Sequence, residues 1–492
     1  MNYSIIFKML SMVLWIMALA FSACAGVSLL YASSATESQA LPSWICLIAF
    51  CVVTAFAFYL PSRNAPRKLF KKEAMCIVGT GWIIASLVGS LPYILIVECR
   101  FPQAFFESAS GLTTTGANGF ASYADFPNSL MFWRCLSNWI GGMGVLVFFV
   151  AILSFLGSGG RILFASESSA NAGGGIETAR IQSGIFKMTG IYLGLSALCL
   201  ISFKLCGMGW FDGVCHMFST VATGGFSVYE DGIAHYGSNL VYWIVILFMF
   251  LGGVSFVLMI AVAGGNFKKL LENSEFWTYT GLIAAASLAL SAFIAQDPSS
   301  PTDCWTAFTR ATFQSVATAT TTGLAAFDYE KWTPATHSVI FLLMIIGGCA
   351  GSTSGGLKVS RVVTVWRIVW NEVEKSFRPR VVRNVRINGK TFDDGDTRGV
   401  LSYFALFFLL SGAAMLLFGL FEPNMSLTGC VSAAIACINN IGPGFAEIGP
   451  IKNFEFFGDW TKIFAAFLMI MGRIEFYAIL ALFMPSLWKK FQ

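Results

Sequence analysis

Apolar residues in this chain gather into long runs rather than short alternations. Ten runs approach the ~20 residues that a helix needs to cross the hydrocarbon of a bilayer. They lie near residues 9–31, 43–60, 75–97, 128–153, 188–206, 238–262, 278–296, 335–370, 400–420 and 460–485. The first follows Lys8 and ends in Ala-Cys-Ala, as a secretory signal does. It is too long for one, and a second run follows at once, so a retained anchor is predicted. After the basic segment Arg63–Lys72 the pattern changes, and long runs alternate with shorter Gly/Thr-rich stretches. The pattern predicts an all-α polytopic membrane protein with about ten spans.

Composition narrows the class. Hydrophobic residues make up 56% of the 492 and charged residues 12%, against roughly 25% charged in soluble domains. The mean hydropathy is +0.71. These values exclude a secreted disulfide scaffold, a disordered chain and an ordinary cytosolic enzyme. The 13 cysteines form no CxxC pair and read as small buried hydrophobes. Basic residues fall mainly in alternate loops, the richest being 357–400 with Arg378, Arg380, Arg383 and Arg386. The positive-inside rule then puts both termini in the cytoplasm. The segments left outside carry more acidic than basic residues, which favours a cation over an anion as the transported species.

Four short stretches resemble one another: Thr113-Thr-Thr-Gly-Ala117, Val221-Ala-Thr-Gly-Gly225, Thr320-Thr-Thr-Gly-Leu324 and Asn439-Asn-Ile-Gly-Pro443. Aligned on Gly116, Gly224, Gly323 and Gly442, they recur roughly every hundred residues. Each follows a segment too short to span, within Phe105–Leu112, Trp210–Thr220, Trp305–Thr318 and Leu427–Ile438. A second echo lies in each following span, at Gly141-Gly142, Gly252-Gly253, Gly347-Gly348 and Gly472-Arg473. The unit is span, short helix, Gly-centred loop, span. The predicted organisation is a two-span domain at 1–73 and four repeats at 74–160, 161–265, 266–398 and 399–492. Non-helical backbone at membrane depth is tolerated only where protein or a watery cavity satisfies it. Four such loops around a pseudo-fourfold axis can turn carbonyls inward to replace an ion's hydration shell. Helix C-termini aimed at that axis favour a cation. The alternative is that the Thr/Gly clusters only let spans pack closely.

The chain resembles the Trk/Ktr/HKT superfamily of potassium transporters, and within it the bacterial TrkH-type subunit. The motifs that carry the resemblance are Ser108-Ala-Ser-Gly-Leu-Thr-Thr-Thr-Gly-Ala117, Gly347-Gly-Cys-Ala-Gly-Ser-Thr-Ser-Gly-Gly-Leu-Lys358 and Met471-Gly-Arg-Ile-Glu475. It covers about residues 70–490, and the opening pair matches the extra domain of TrkH-type members. The resemblance implies a filter of backbone carbonyls from Thr114, Thr115 and Gly116; Ala222, Thr223 and Gly224; Thr321, Thr322 and Gly323; and Asn440, Ile441 and Gly442. Potassium is then the substrate, with no bound cofactor. It also implies a homodimer in the bacterial inner membrane and a cytosolic TrkA-type nucleotide-binding ring as regulatory partner. Neither enzymatic activity nor nucleic-acid binding is expected, while lipid is a partner throughout.

The run 335–370 is too long for one crossing and is interrupted by the polar stretch Gly347–Gly356. Its residues Gly347, Gly348, Gly351, Ser352, Thr353, Ser354, Gly355 and Gly356 are predicted to form a movable obstruction below the filter; a kinked helix is the alternative. The stretch nearly matches a phosphate-binding loop, but Leu357 stands where that loop needs Lys. Arg473 lies inside the last span, where a charge costs at least ~2.5 kcal/mol, and must face the pore or a partner. The resemblance makes it an electrostatic barrier beneath the filter; a structural arginine tied to carbonyls is the alternative. Glu475 lies only two residues on, which rules out assuming that the two pair.

Other candidates are weak. His216, His235 and His337 stand alone, and Asp393-Asp394-Gly395-Asp396 lacks the distal glutamate of a calcium loop. The connection Gly157–Lys187 and the basic segment 366–398 are long enough to meet a partner or anionic lipid. Two functional alternatives stay open: a less selective sodium, potassium or ammonium transporter, and an alternating-access cation symporter. Carriers of the second kind show two related halves with broken helices; four units and one broken span are predicted here.

Overall fold

The computed structural model describes residues 1–65, 70–155, 176–297, 303–378, 386–387, 390–391 and 394–488. Gly173–Gly175, Arg380, Arg383 and Asp393 lie outside the described residues. Each of the ten predicted runs is mainly helix, and those at 238–262, 335–370 and 460–485 contain non-helical breaks. Six described helices are by themselves long and apolar enough to cross a membrane, and a bent pair makes a seventh. Among the described residues the only strand pairing is a two-residue antiparallel pair, Arg386–Ile387 with Lys390–Thr391.

Tyr3–Leu30 and Ala35–Ser62 form an opening hairpin. It is fixed to the rest by Trp44 Nε1, which donates to Ser129 Oγ at 3.0 Å. The carboxylate of Glu37 also accepts the Ser129 N–H and hydroxyl, at 2.9 and 2.7 Å. The repeats follow in order. The first is Lys71–Ile96, Phe101–Leu112 and Asn128–Phe155; the second is Ile176–Leu205, Trp210–Val221, Asn239–Gly252 and Phe256–Ala263. The third is Ser274–Ala295, Cys304–Ala319, Pro334–Ile346 and Val359–Phe377; the fourth is Asp394–Phe421, Leu427–Asn439, Asp459–Arg473 and Tyr477–Leu482. A 12-residue helix such as Phe101–Leu112 reaches roughly 18 Å, about three-fifths of the ~30 Å hydrocarbon thickness. The short helices start from local signals: Asp303 accepts the Thr306 N–H at 3.0 Å, Ser426 accepts that of Gly429 at 3.1 Å, and Pro102 opens the first.

One expectation is corrected. Three second spans are broken, not one. Asn239–Gly252 meets Phe256–Ala263 at 99°, where Gly253 packs so closely on Tyr279 that a Cβ would stand 2.3 Å from the hydroxyl. The last span breaks at Glu475 and Phe476, both with positive φ. These breaks are shorter than Gly347–Lys358 and carry too few polar residues to interrupt an apolar run.

Asn2 and Ser486 both meet the start of the helix Lys71–Ile96. The Asn2 N–H donates to Glu73 at 3.0 Å, and Lys72 Nζ to the Ser486 carbonyl at 3.1 Å.

Candidate functional site: a ring of four glycine turns

Each short helix unwinds in the same way. A residue with left-handed backbone is followed, two positions on, by a left-handed glycine. The pairs are Thr114 and Gly116, Thr223 and Gly225, Thr321 and Gly323, and Asn440 and Gly442, with φ near +55° at the first member and between +65° and +93° at the glycine. The intervening N–H of Thr115, Gly224, Thr322 and Ile441 donates back to the helix carbonyl five residues earlier, at 2.8, 2.8, 2.8 and 2.9 Å.

These angles correct the register of repeat two. Gly225, not Gly224, is the equivalent of Gly116, Gly323 and Gly442, and Gly224 stands level with Thr115. Ala222 drops one place behind the turn, level with Thr113 and Thr320. Two adjacent glycines left the sequence alignment free to choose either, and only φ separates them.

The four turns close on one another. A Cβ on Gly116 would lie 2.4 Å from the Gly224 carbonyl oxygen, and one on Gly225 2.3 Å from that of Thr322. On Gly323 it would lie 1.8 Å from that of Ile441, and on Gly442 2.6 Å from that of Thr115. The contacts run from repeat one to two, three, four and back to one. Glycine is required twice over, for its positive φ and for the space it leaves. The glycines of the following spans serve the same packing. Gly141, Gly252 and Gly472 press on the carbonyls of Leu112, Val221 and Ile438, the last turns of their own short helices.

Beneath the ring, Gly347–Lys358 folds back on itself. Gly347 meets the Gly355 carbonyl at its neck, and both Gly347 and Gly356 have positive φ. The Val359 N–H donates to Gly348 at 3.0 Å, and Ser352 Oγ to Cys349 at 2.6 Å. Thr353 reaches repeat two, its hydroxyl donating to Gly252 at 3.0 Å and lying 3.2 Å from that of Thr223. The Gly355 N–H donates to the Thr321 hydroxyl at 2.6 Å, and Gly355 packs on the Asn439 carbonyl of repeat four. The loop therefore crosses from repeat two to repeat four directly under the ring. Gly351 accepts the Phe256 N–H at 3.0 Å, so the loop also rests on the bent span of repeat two.

Arg473 is buried against this loop, and its Nη1 donates to the Thr353 carbonyl at 2.7 Å. Its Nε and Nη2 find no hydrogen-bond partner among the described residues. Glu475 turns away and pairs with Arg361 at 2.6 Å. Lys358 adds another cation beside the loop, with Nζ donating to the Ser354 carbonyl.

Several residues here escaped sequence reasoning. Glu275 accepts the N–H groups of Ala350 and Ser360 at 2.7 and 3.2 Å, holding the two ends of the loop. Glu107 and Arg134 form a fully buried ion pair at 2.6 Å beside the ring. Each acts across more than twenty positions of sequence, so spacing gave no signal; for Glu107 and Arg134 a lone charge in an apolar run was the available clue. His216 Nε2 lies 3.0 Å from Ser227 Oγ and its Nδ1 2.8 Å from the Asp212 carbonyl, within the same packing.

Known proteins share this architecture. Residues 44–490 match a family described as TrkH, cation transport protein. The Trk system potassium uptake protein TrkI of Halomonas elongata is 32% identical over 482 residues, covering 97% of this chain and 96% of that one. The Trk system potassium uptake protein TrkH of Vibrio parahaemolyticus is 30% identical, covering 99% and 100%. The crystal structure of the potassium transporter TrkH from Vibrio parahaemolyticus superposes with a TM-score of 0.89 at 28% identity, over 99% of this chain and all of that one. Fold, repeat and sequence agree, and the chain belongs to the TrkH family of cation transport proteins.

Proposed function

We propose that this protein takes up potassium across the bacterial cytoplasmic membrane through a channel-like pore along the axis of the four repeats. The closed ring of glycine turns is the observation that carries the reading. Four strands bring carbonyls to one level at the C-terminal ends of four short helices, where the backbone dipoles favour a cation. Carbonyl oxygens there replace the ion's hydration shell. The filter set is Thr114, Thr115 and Gly116; Thr223, Gly224 and Gly225; Thr321, Thr322 and Gly323; and Asn440, Ile441 and Gly442. Potassium is the cargo, and backbone atoms do the coordinating. The curated relatives named above are potassium uptake proteins, which supports the choice of ion.

The loop Gly347–Lys358 and Arg473 form the gate in this reading. A loop tied to repeats two, three and four leaves the path under the ring obstructed, and the guanidinium adds a like charge to the obstruction. Opening requires release of Thr353 from Arg473 and Gly252. The chain works as a homodimer, with both termini in the cytoplasm. A TrkA-type nucleotide-binding ring moves the gate by acting on the same face.

A second reading has one observation in its favour. Broken spans in three repeats resemble the discontinuous helices of alternating-access carriers. Flux in proteoliposomes separates the readings. A pore passes rubidium and potassium down their own gradients, with sodium excluded and no need for a proton or sodium gradient. Equal passage of sodium refutes the selective pore, and an absolute requirement for a second ion gradient refutes the channel-like path.

A further inference from the structure

A second ring of contacts encircles the first. The residue two places beyond each ring glycine is Asn118, Ser227, Ala325 or Gly444. The carbonyl of each accepts one hydrogen bond from the preceding repeat. Asn118 accepts from the Phe454 N–H of repeat four at 2.8 Å, and Ala325 from the Ile233 N–H of repeat two at 2.9 Å. Ser227 accepts from Arg134 Nη1 of repeat one at 3.0 Å, and Gly444 from the Tyr329 hydroxyl of repeat three at 2.6 Å. The four links run in one rotational sense and close.

Three donors are neutral and one is a guanidinium. That charge is held in a built environment. Arg134 and Glu107 are both fully buried and paired at 2.6 Å. Another nitrogen of Arg134 donates to Asn118 Oδ1, and the guanidinium lies 4.4 Å from the Tyr123 ring centre and 4.0 Å from that of Phe226. The second carboxylate oxygen of Glu107 accepts the Gly119 N–H at 2.7 Å. One ion pair thus grips the exit strands of repeats one and two together, and carries no net charge that would repel an arriving cation.

We propose that these four links are a girdle that fixes the width of the ring and so its discrimination between ions, with Arg134, Glu107 and Tyr329 as positioning residues. The inference rests on the reading of the glycine ring as the ion filter. The physical reason is the shortness of that filter. Each strand has a single left-handed glycine turn and no ladder to a neighbour, so little within the strand holds its carbonyls against a smaller ion. A carbonyl two places beyond each ring glycine, bonded to the preceding repeat, pins the end of the strand, so the filter carbonyls before it cannot follow a smaller ion toward the axis. Positioning within ~0.5 Å is what such a site needs, and links between repeats can supply it where bonds within one strand cannot.

The test uses the purified full chain in proteoliposomes, with rubidium and sodium tracers measured side by side. Tyr329→Phe removes one hydroxyl and little else. Arg134→Lys keeps the charge beside Glu107 but loses the planar fork that reaches Ser227 and Asn118 together. Ser287→Ala is the control, since it removes a buried hydroxyl that has no hydrogen-bond partner among the described residues and lies outside the girdle. Sodium uptake relative to rubidium is expected to rise about three- to tenfold in each of the first two, up to one tenfold step in discrimination. It should rise further in the double variant, while Ser287→Ala matches wild type. If Arg134→Lys fails to insert, Tyr329→Phe alone decides. Wild-type discrimination in inserted Tyr329→Phe, or in both variants where both insert, overturns the girdle and leaves the potassium pore standing. Loss of discrimination in the wild type itself overturns both.

Discussion

Gly323→Ser tests the ring most directly, because its cost can be worked from two features of one residue. Gly323 has φ +65°, a region where a residue with a Cβ is strained by roughly 1–3 kcal/mol. A Cβ there would lie 1.8 Å from the Ile441 carbonyl oxygen and 2.8 Å from Pro443 Cδ. An ordinary C···O contact is about 3.3 Å, so the Ile441 carbonyl must retreat by about 1.5 Å. A coordinating group tolerates ~0.5 Å. One of four strands therefore leaves its place while the other three remain. If the displaced carbonyl had favoured potassium over sodium by as little as ~1.4 kcal/mol, the ratio changes tenfold. The strain is local and leaves the bundle folded, so the variant should insert normally and pass sodium about tenfold more readily relative to rubidium. The assay is paired tracer uptake into proteoliposomes, with insertion checked by detergent extraction and gel filtration. Gly412→Ala is the matched control, because a Cβ there meets nothing within 4 Å. Wild-type discrimination in an inserted Gly323→Ser protein would refute the ring as the site of selection.

Two further predictions concern register and gate. Gly225→Ala should impair discrimination as Gly323→Ser does, since its Cβ meets the Thr322 carbonyl. The three atoms nearest a Cβ on Gly224 all belong to the Asn138 side chain, its Cβ included, so adding Asn138→Gly should rescue Gly224→Ala; rescue of Gly225→Ala instead would restore the alignment on Gly224. At the gate, two like charges ~4 Å apart at an effective dielectric near 20 repel by about 4 kcal/mol. Half of that slows passage about thirtyfold, so Arg473→Ala, or deletion within Gly351–Gly356, should raise rubidium uptake in the absence of any cytosolic partner. Because Arg473 holds Thr353, the two changes together should give less than the product of their effects. Unchanged uptake in both inserted variants would leave Arg473 a structural role.

Some of this was open to reading in one dimension and some was not. Span length and short Thr/Gly motifs are properties of consecutive residues, and the ten runs and four repeats follow from them. The long break at Gly347–Gly356 was visible because it combines polarity with an excessive run. The break after Arg473 was not, because Ile474-Glu475-Phe476 interrupts the helix with two unfavourable φ angles and one pair of charges, without a polar stretch. The register of repeat two was ambiguous for a similar reason, since Gly224 and Gly225 are chemically identical and differ only in backbone angle. Glu107 and Arg134 are single charges in apolar surroundings, and Glu275 follows the charged stretch Lys268–Glu272. Burial demands a partner for each, yet nothing in the spacing says which, and their partners lie in other helices.

One consequence of building a fourfold site from a single chain is that the repeats need not be alike beneath it. In a ring of identical subunits, a loop reaching the axis would appear four times in a volume that holds one. Among the described residues only repeat three carries the long loop, and only repeat four places an arginine in the last turn of its second span. The loop fills the space under the turns of repeats two, three and four through Thr353 and Gly355. The second span of repeat one, Asn128–Phe155, continues unbroken past Gly141-Gly142. Symmetry is kept where the carbonyls converge and abandoned beneath them. On the gating proposed above, a cytosolic partner shifts one loop rather than four helices at once. The bonds of Thr353 and Gly355 to Gly252, Arg473 and Thr321, at about 0.5–1.5 kcal/mol each, contribute roughly 1.5–4.5 kcal/mol to the cost of that shift.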